Sequence, residues 1–394
     1  MFNIINSNIT ISSDDLIAAS KKYDKLLRSI AVYSLAHILQ HMTVIEGVRG
    51  SLTWGQLKAK ASWALYKKNS QSNSSAEILG RTLTTRLMSL IDQFDPNEVA
   101  GTIYHEGPNS GDALKNLPIT VQVMARKLME ASEEIYYAMF KGALDESTGT
   151  TPMTSIDGFD TICANEATAS TPGISAAKKN LIDLSSYDDL DVTNTFAAIN
   201  YIWLCLDQKM KDFGTQQQPV RFFVDPLICE YYNRGYKEDM GSVVYNTKWN
   251  QTQVLGSEGR AILLPLAAKK GSNWIQVTHP ANMLFGCGTK TQMDSLTVDR
   301  IPPFDVMMSG TMWAGVQFKF LDPSVFTAVK LHGVKAPSIE DLLPTSSTAA
   351  ADTQEPETNN ETPSGSETPA GGGTNSETPA GGETPSGGET PSNP

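Results

Sequence analysis

Residues 77–116 constrain the chain more than any other stretch. They contain Asp95-Pro96-Asn97, Gly101, Gly107-Pro108-Asn109 and Gly111, with only short segments such as 99–105 between the breakers. Proline fixes its own φ and biases its predecessor away from helix, and Gly-Pro and Pro-Asn pairs favour turns. The stretch therefore reads as an extended, two-stranded excursion. A connection of about forty residues is unusual in a compact enzyme domain, and it orders readily when it lies across a neighbouring molecule.

The segments on either side read as helix. Ser12 or Ser13 supplies an N-cap, and Asp14 and Asp15 suit the positive first turn. Leu16, Ala19, Tyr23, Leu26, Ile30, Tyr33 and His37 then recur at steps of three and four. That spacing predicts one long helix ending near Gly47 or Gly50. A second helix is expected over 52–67, with Trp54, Leu57, Ala61 and Leu65 on one side, followed by a polar joint over 69–76. The clearest helix covers 118–141. Pro118 suits its first turn, Val121, Met124, Leu128, Ala131, Ile135 and Ala138 form its stripe, and Gly142 marks its end.

From 150 to 335 the pattern is mixed. Helices are expected over 193–212 and 227–236, and strands over 220–224, 261–264, 274–278, 305–308 and 315–320. No regular strand-helix-strand alternation appears, so the fold class is α+β, not doubly wound α/β.

Charge is unevenly distributed. Residues 345–394 hold eight acids and no Lys or Arg, and their hydrophobic residues are five alanines. Glu-Thr-Pro recurs there at Glu361, Glu367, Glu377, Glu383 and Glu389. Such a composition buries too little apolar surface to offset its ordering entropy, so a solvated acidic tail is expected. The tail carries −8 of the total −12. The first 88 residues have eleven Lys or Arg against five acids. With Trp54, Trp63 and Tyr66 among Lys58, Lys60, Lys67 and Lys68, this basic end can lie near nucleic-acid backbone. A solvated amphipathic helix pair is the plainer reading.

No residue set calls for catalysis, a cofactor or a metal. His37 and His41 share a helix face, half of a metal site, but Ile-Leu-Gln separates them and His37 falls on the apolar stripe. The segment Gly286-Cys287-Gly288 lacks a phosphate loop's spacing and reads as a turn. Glu130, Glu133, Glu134, Asp145 and Glu146 read as a solvated or intersubunit face, not as paired catalytic acids. Cys163, Cys205, Cys229 and Cys287 form no CxxC pair and read as reduced core cysteines. The N-terminus has no basic and apolar leader, and no apolar run reaches the ~20 residues of a membrane span. Folding in a cytoplasm is the simplest expectation.

The order of parts says more than any motif. EIYYAMFKGAL closes the long helix, TPMTSIDGFDTI follows, and then come PVRFFVDPLICEYYNRG, AILLPLAAKKGSNWIQVTHPANMLFGCG and the closing GVQFKF. This arrangement resembles the major capsid (coat) protein of tailed double-stranded DNA bacteriophages, a fold shared with encapsulin shells. It covers roughly residues 77–335.

The resemblance implies an N-arm, an extended loop, a spine helix, and peripheral and axial domains. On this chain they are expected at 1–76 (a basic helical arm or scaffolding-like segment), 77–117 (loop), 118–192 with 290–335 (peripheral, containing the spine) and 193–289 (axial). The tail takes 336–394. The family also implies a strand over IDGFDTI and a homo-oligomer of hexamers and pentamers in an icosahedral shell. It implies scaffolding and portal partners, sequence-independent contact with packaged DNA, no membrane, and a virion location after synthesis in the host cytoplasm. Some members cross-link subunits through a Lys–Asn bond; Lys115 and Asn116 lie near the loop, and nothing singles them out. An encapsulin-like compartment and a soluble α+β enzyme with an unrecognised site stand as alternatives.

Overall fold

The computed structural model describes residues 13–60, 75–95, 119–215, 218–240, 252–301 and 305–337. The chain divides at 337/338 into two units, and all described residues belong to the first. Helices and sheets are mixed without regular alternation, as the α+β expectation requires.

The N-terminal stripe forms three helices instead of one: α1 (Ser13–Lys22), α2 (Asp24–Tyr33) and α3 (Ala36–Leu39). Hydroxyls turn back on the main chain here. Ser20 donates to the Ile17 carbonyl (2.9 Å), Ser29 to Leu26 (2.7 Å) and Ser34 to Ala31 (3.0 Å). Such bonds compete with the helical ladder and favour bends. The breaks let Leu16, Leu27, Leu35 and Ile38 all reach the core. The chain then enters β1 (Thr43–Ile45), well before the expected helix end.

Of the helix expected over 52–67, residues 52–60 are strand instead, and 61–67 lie outside the described residues. β2 (Ser51–Lys60) pairs antiparallel with β3 (Ser75–Thr84) through ten register pairs. Gly55 inside a helix costs about 1 kcal/mol relative to Ala, whereas Thr53 and Trp54 suit a strand. Gly55 stands opposite Gly80 in the ribbon. β4 (Arg86–Phe94) follows after Thr85 but joins a different sheet, so the expected excursion is divided. Residues 61–74 and 96–118 lie outside the described residues, including segment 99–105, Trp63, Tyr66, Lys115 and Asn116.

α4 (Ile119–Lys141) is the expected long helix. IDGFDTI, expected as a strand, instead leads into α6 (Phe159–Thr168) after the short α5 (Pro152–Ser155). Gly158 is extended at its N-cap, and Phe159, Ile162 and Cys163 face inward at helical spacing. β5 (Leu181–Leu184) follows. The helix expected over 193–212 is split into α7 (Thr195–Cys205) and α8 (Gln208–Phe213). Leu206 is extended, and Asp207 caps the second piece by accepting from Lys209 N at 2.9 Å.

Next come β6 (Val220–Val224), α9 (Pro226–Met240), β7 (Ala261–Pro265), β8 (Trp274–Thr278), β9 (Met283–Cys287) and β10 (Ser295–Ile301). The strands expected over 305–308 and 315–320 are one strand, β11 (Asp305–Phe318), and β12 (Phe326–Leu331) ends the series. Gly286 and Cys287 lie in the buried β9, not in a turn.

One sheet runs β1-β9-β11-β10, with β4 on the other edge of β11; a second runs β5-β12-β8-β6-β7. Each has its own core. Leu27, Leu128, Phe140, Phe159 and Phe318 belong to the first, and Phe196, Ile202, Phe222, Tyr232 and Val277 to the second. β6 separates them: strand alternation sends Phe222 into one core and Phe223 into the other. Phe140, Phe159, Phe318 and Phe326 stack in a row with centroid separations of 5.5, 4.9 and 4.5 Å.

A polar cluster is built into this interior. Lys269 is fully buried; its Nζ donates to the Asp160 carboxylate and to Gln276 Oε1 (2.8 Å). Gln276 Nε2 and Ser272 Oγ also donate to Asp160, at 2.7 and 2.6 Å. Burial pulls the Lys269 pKa down, and the neighbouring Asp160 opposes it. Removing one partner of such a pair costs about 3–5 kcal/mol, because the other charge stays buried alone. We expect Asp160→Ala to lower the unfolding free energy by that order in urea titration, and Asp160→Leu with Lys269→Met to lose much less. Equal losses would show that packing, not charge, carries the contribution.

His41, after α3, meets Arg221 of β6 through Nδ1. Burial, then the Arg221 charge, lowers the His41 pKa from 6.5 to about 4. The folded value lies below the unfolded one, so the unfolded chain binds more protons between them. The contribution is present above 6.5 and is lost as pH falls through about 4. His41→Gln is expected to flatten the melting-temperature profile between pH 4 and 6.5; an unchanged slope would refute this linkage.

Candidate assembly surface

The β2–β3 ribbon is a two-stranded sheet of its own. Its base is held closely. Gly47 and Gly50 have φ of +77° and +112°, and their conformations turn the chain into β2. Thr85 is buried between ribbon and body: its hydroxyl donates to Val48 O at 3.0 Å and accepts from Gly50 N at 3.0 Å. Arg81 donates to Phe318 O (3.1 Å) and Gln317 Oε1 (2.8 Å), and pairs with Glu166 at 3.0 Å.

Glycines allow this approach. Gly286 and Gly315 are register partners in β9 and β11. A Cβ on Gly286 would lie 2.6 Å from the fully buried Leu83, and one on Gly315 would lie 2.3 Å from the Thr84 carbonyl. On β2, Ser51, Leu52, Thr53 and Gly55 are exposed.

Two further apolar surfaces face solvent. Leu87 and Ile91 point out from one face of β4, with Ile91 70% exposed. A cleft of about 400 Å³ separates that strand from α4 and is lined by Leu87, Ile91, Leu128, Ile135 and Glu134. Over the second core, Tyr201 and Leu204 of α7 are exposed, with Leu204 at 72%. Exposed apolar groups of this size, grouped around clefts, mark interaction surfaces.

The candidate chemical residues do not converge. His37 packs edge-on against Tyr136 at 4.9 Å, and its Nδ1 lies 2.9 Å from Ser34 O. No group of three metal-ligating side chains occurs among the described residues. Glu130, Glu133 and Glu134 are exposed along α4. Glu146 pairs with Arg86 at 2.7 Å. Asp145 accepts from Ser147 Oγ (2.6 Å), the Thr148 hydroxyl and Ser147 N (2.9 Å), bonds that lower its pKa to about 2. It is a turn residue after α4, held as a carboxylate. The four cysteines are free; Cys163 and Cys287 are core residues as expected, whereas Cys205 is exposed. Burial pushes the Cys163 thiol up to about 12, which removes its nucleophilic form at neutral pH.

The feature missed from sequence is the ribbon. Its usable signals were Gly55 in the expected helix and the β-branched and aromatic pair Thr53-Trp54. We expect Gly315→Ala to force the ribbon base away from β11 and to cost about 1–3 kcal/mol, the range of overpacking. Differential scanning calorimetry checks it, and an unchanged transition would contradict the close approach.

No family model matches the sequence, and no curated protein matches it. Among solved structures, a chain of Microbacterium phage Oxtober96 is similar at 12% identity and a TM-score of 0.44, over 74% of this chain and 90% of that one. A chain of the cyanophage A-1(L) capsid is similar at 12% identity and a TM-score of 0.47, over 76% and 92%. One from the virus-like particle of Pyrococcus furiosus is similar at 14% and 0.39, over 77% and 98%.

Proposed function

We propose that this chain is the repeating structural subunit of a closed icosahedral shell, the head of a tailed double-stranded DNA phage. The observation that carries the reading is the β2–β3 ribbon. Two antiparallel strands alone are marginally stable in water, so a ten-pair ribbon outside both cores calls for a surface to cover. A neighbouring subunit supplies it. In this reading the ribbon, not residues 77–117, is the extended loop, and α4 is the spine. The first core is the peripheral domain. The second sheet is the axial domain, which then takes in β5 and β12 from either side of 193–289.

The work of such a subunit is binding energy summed over many contacts, without catalysis. Hexamers and pentamers arise when these heterologous contacts close. Scaffolding and portal proteins act during assembly in the host cytoplasm, and the basic N-terminal region faces packaged DNA without reading sequence. No described helix is long and apolar enough to cross a membrane.

The test replaces residues 56–79 by an Asn-Gly turn and leaves the base, including Arg81 and Leu83, intact. The variant is expected to keep its circular dichroism spectrum and thermal transition and to lose particle formation, read by light scattering and negative-stain microscopy against wild type. Particles of normal size from the shortened chain would overturn the reading. Nuclease-resistant DNA inside wild-type particles separates a phage head from a protein-filled compartment.

A further inference from the structure

A cleft of about 500 Å³ opens beside the start of β6, between Thr43, the 280–282 turn and residues 319–320. Its wall is fixed by Asn282. The Asn282 Oδ1 accepts from Phe320 N at 2.8 Å, and its Nδ2 donates to Phe320 O and Thr278 Oγ1, each at 3.0 Å. Lys319 N donates to Asn282 O at 2.8 Å. The register Arg221↔Thr278 sets Arg221 beside His279 at this wall.

The charges here are unbalanced. Arg221 and Lys319 both line the cleft, and no Asp or Glu among the described residues does. Among the described residues, the hydrogen-bond contact of Arg221 Nη1 is His41 Nδ1, a neutral nitrogen at pH 7. Burial pulls the Arg221 pKa down, and no carboxylate opposes it. His279 Nε2, in the same wall, has no hydrogen-bond partner among the described residues. A half-buried guanidinium with one nitrogen on His41 and no carboxylate partner among the described residues suits a planar or tetrahedral oxyanion. The rest of the lining combines polar Thr43, Gln218 and Asn282 with the apolar faces of Pro219, Pro280, Phe320 and, at 63% exposure, Phe213. A bare phosphate or an acidic side chain would leave these faces unused. A phosphate attached to a flat aromatic group would use both sets.

We propose that this cleft binds one unpaired nucleotide unit, its phosphate on Arg221 and Lys319 and its base against Phe213. The source is either a free nucleotide or single-stranded nucleic acid, which share this chemistry. Neither depends on the shell reading, because binding is measured on the full chain whether assembled or not.

The experiment uses fluorescein-labelled dT10 in anisotropy titrations over a salt series, with AMP and inorganic phosphate as competitors at matched ionic strength. The basic N-terminal region contributes a background shared by all variants. Stacking on one aromatic ring is worth ~1–3 kcal/mol per base, so Phe213→Ala is expected to weaken dT10 binding by about 5-fold or more. Arg221→Gln is expected to reduce the slope of log K against log salt by ~0.7, one phosphate contact. Phe213→Ala is a surface change, so it reads the site even if Arg221→Gln fails to fold. Displacement by AMP with both losses supports single-stranded nucleic acid. Calorimetric binding of AMP that Phe213→Ala weakens, with dT10 binding unchanged by either variant, supports a free nucleotide. The proposal is overturned if Phe213→Ala binds both probes as wild type does, or if inorganic phosphate competes as well as AMP.

Discussion

The contact between Lys269 and Asp160 ties the two halves of the body together. Asp160 stands on α6 in the first core, and Gln276, which completes the cluster, stands on β8 of the second sheet. A fully buried ammonium has no water to fall back on, so its carboxylate and amide partners must arrive in one geometry. That requirement fixes where α6 lies relative to β8. The row from Phe140 to Phe326 then packs alongside with no freedom to slide. Hydrophobic burial alone tolerates many such arrangements; a desolvated charge tolerates few.

The ribbon is held by the opposite device, the removal of side-chain atoms. Gly286 and Gly315 face each other across β9 and β11, and their bare backbone lets Leu83 and Thr84 approach. The base is thereby welded to the body by Thr85 and Arg81, while the ribbon beyond it pairs only with itself. The body has two cores, and no ribbon residue among those described belongs to either. In the proposed reading, a chain arranged this way is complete as a fold and incomplete as a surface until a neighbouring copy covers the ribbon.

The carboxylates repeat this division. Asp160 serves the interior, Asp145 a turn and Glu146 an ion pair, so each of these three is engaged by its own neighbours. The cations of the cleft beside β6 differ, since Arg221 and Lys319 line it with no acid beside them. Unfilled charge at one place and filled charge elsewhere separate a binding function from structural ones within the same fold.

Local pattern was enough to determine α4, the α+β class, the strand at Trp274–Thr278 and the acidic composition of the tail. Each depends on spacing or composition within a short window. The order of parts also carried the resemblance to shell proteins. Tertiary structure decided the rest. The N-terminal stripe has helical spacing throughout, yet it breaks because hydroxyl back-bonds favour three short helices. Residues 51–60 satisfy a helical pattern almost as well as a strand, and only pairing with residues 75–84, across a connection invisible to local pattern, selects the strand. IDGFDTI, which the resemblance implies as a strand, leads instead into the helix Phe159–Thr168, whose Phe159 packs between Phe140 and Phe318. The charge on Lys269 and that on Arg221, which has no acid beside it in its cleft, acquire meaning only through what surrounds them, since desolvation and pairing are properties of neighbours distant in sequence.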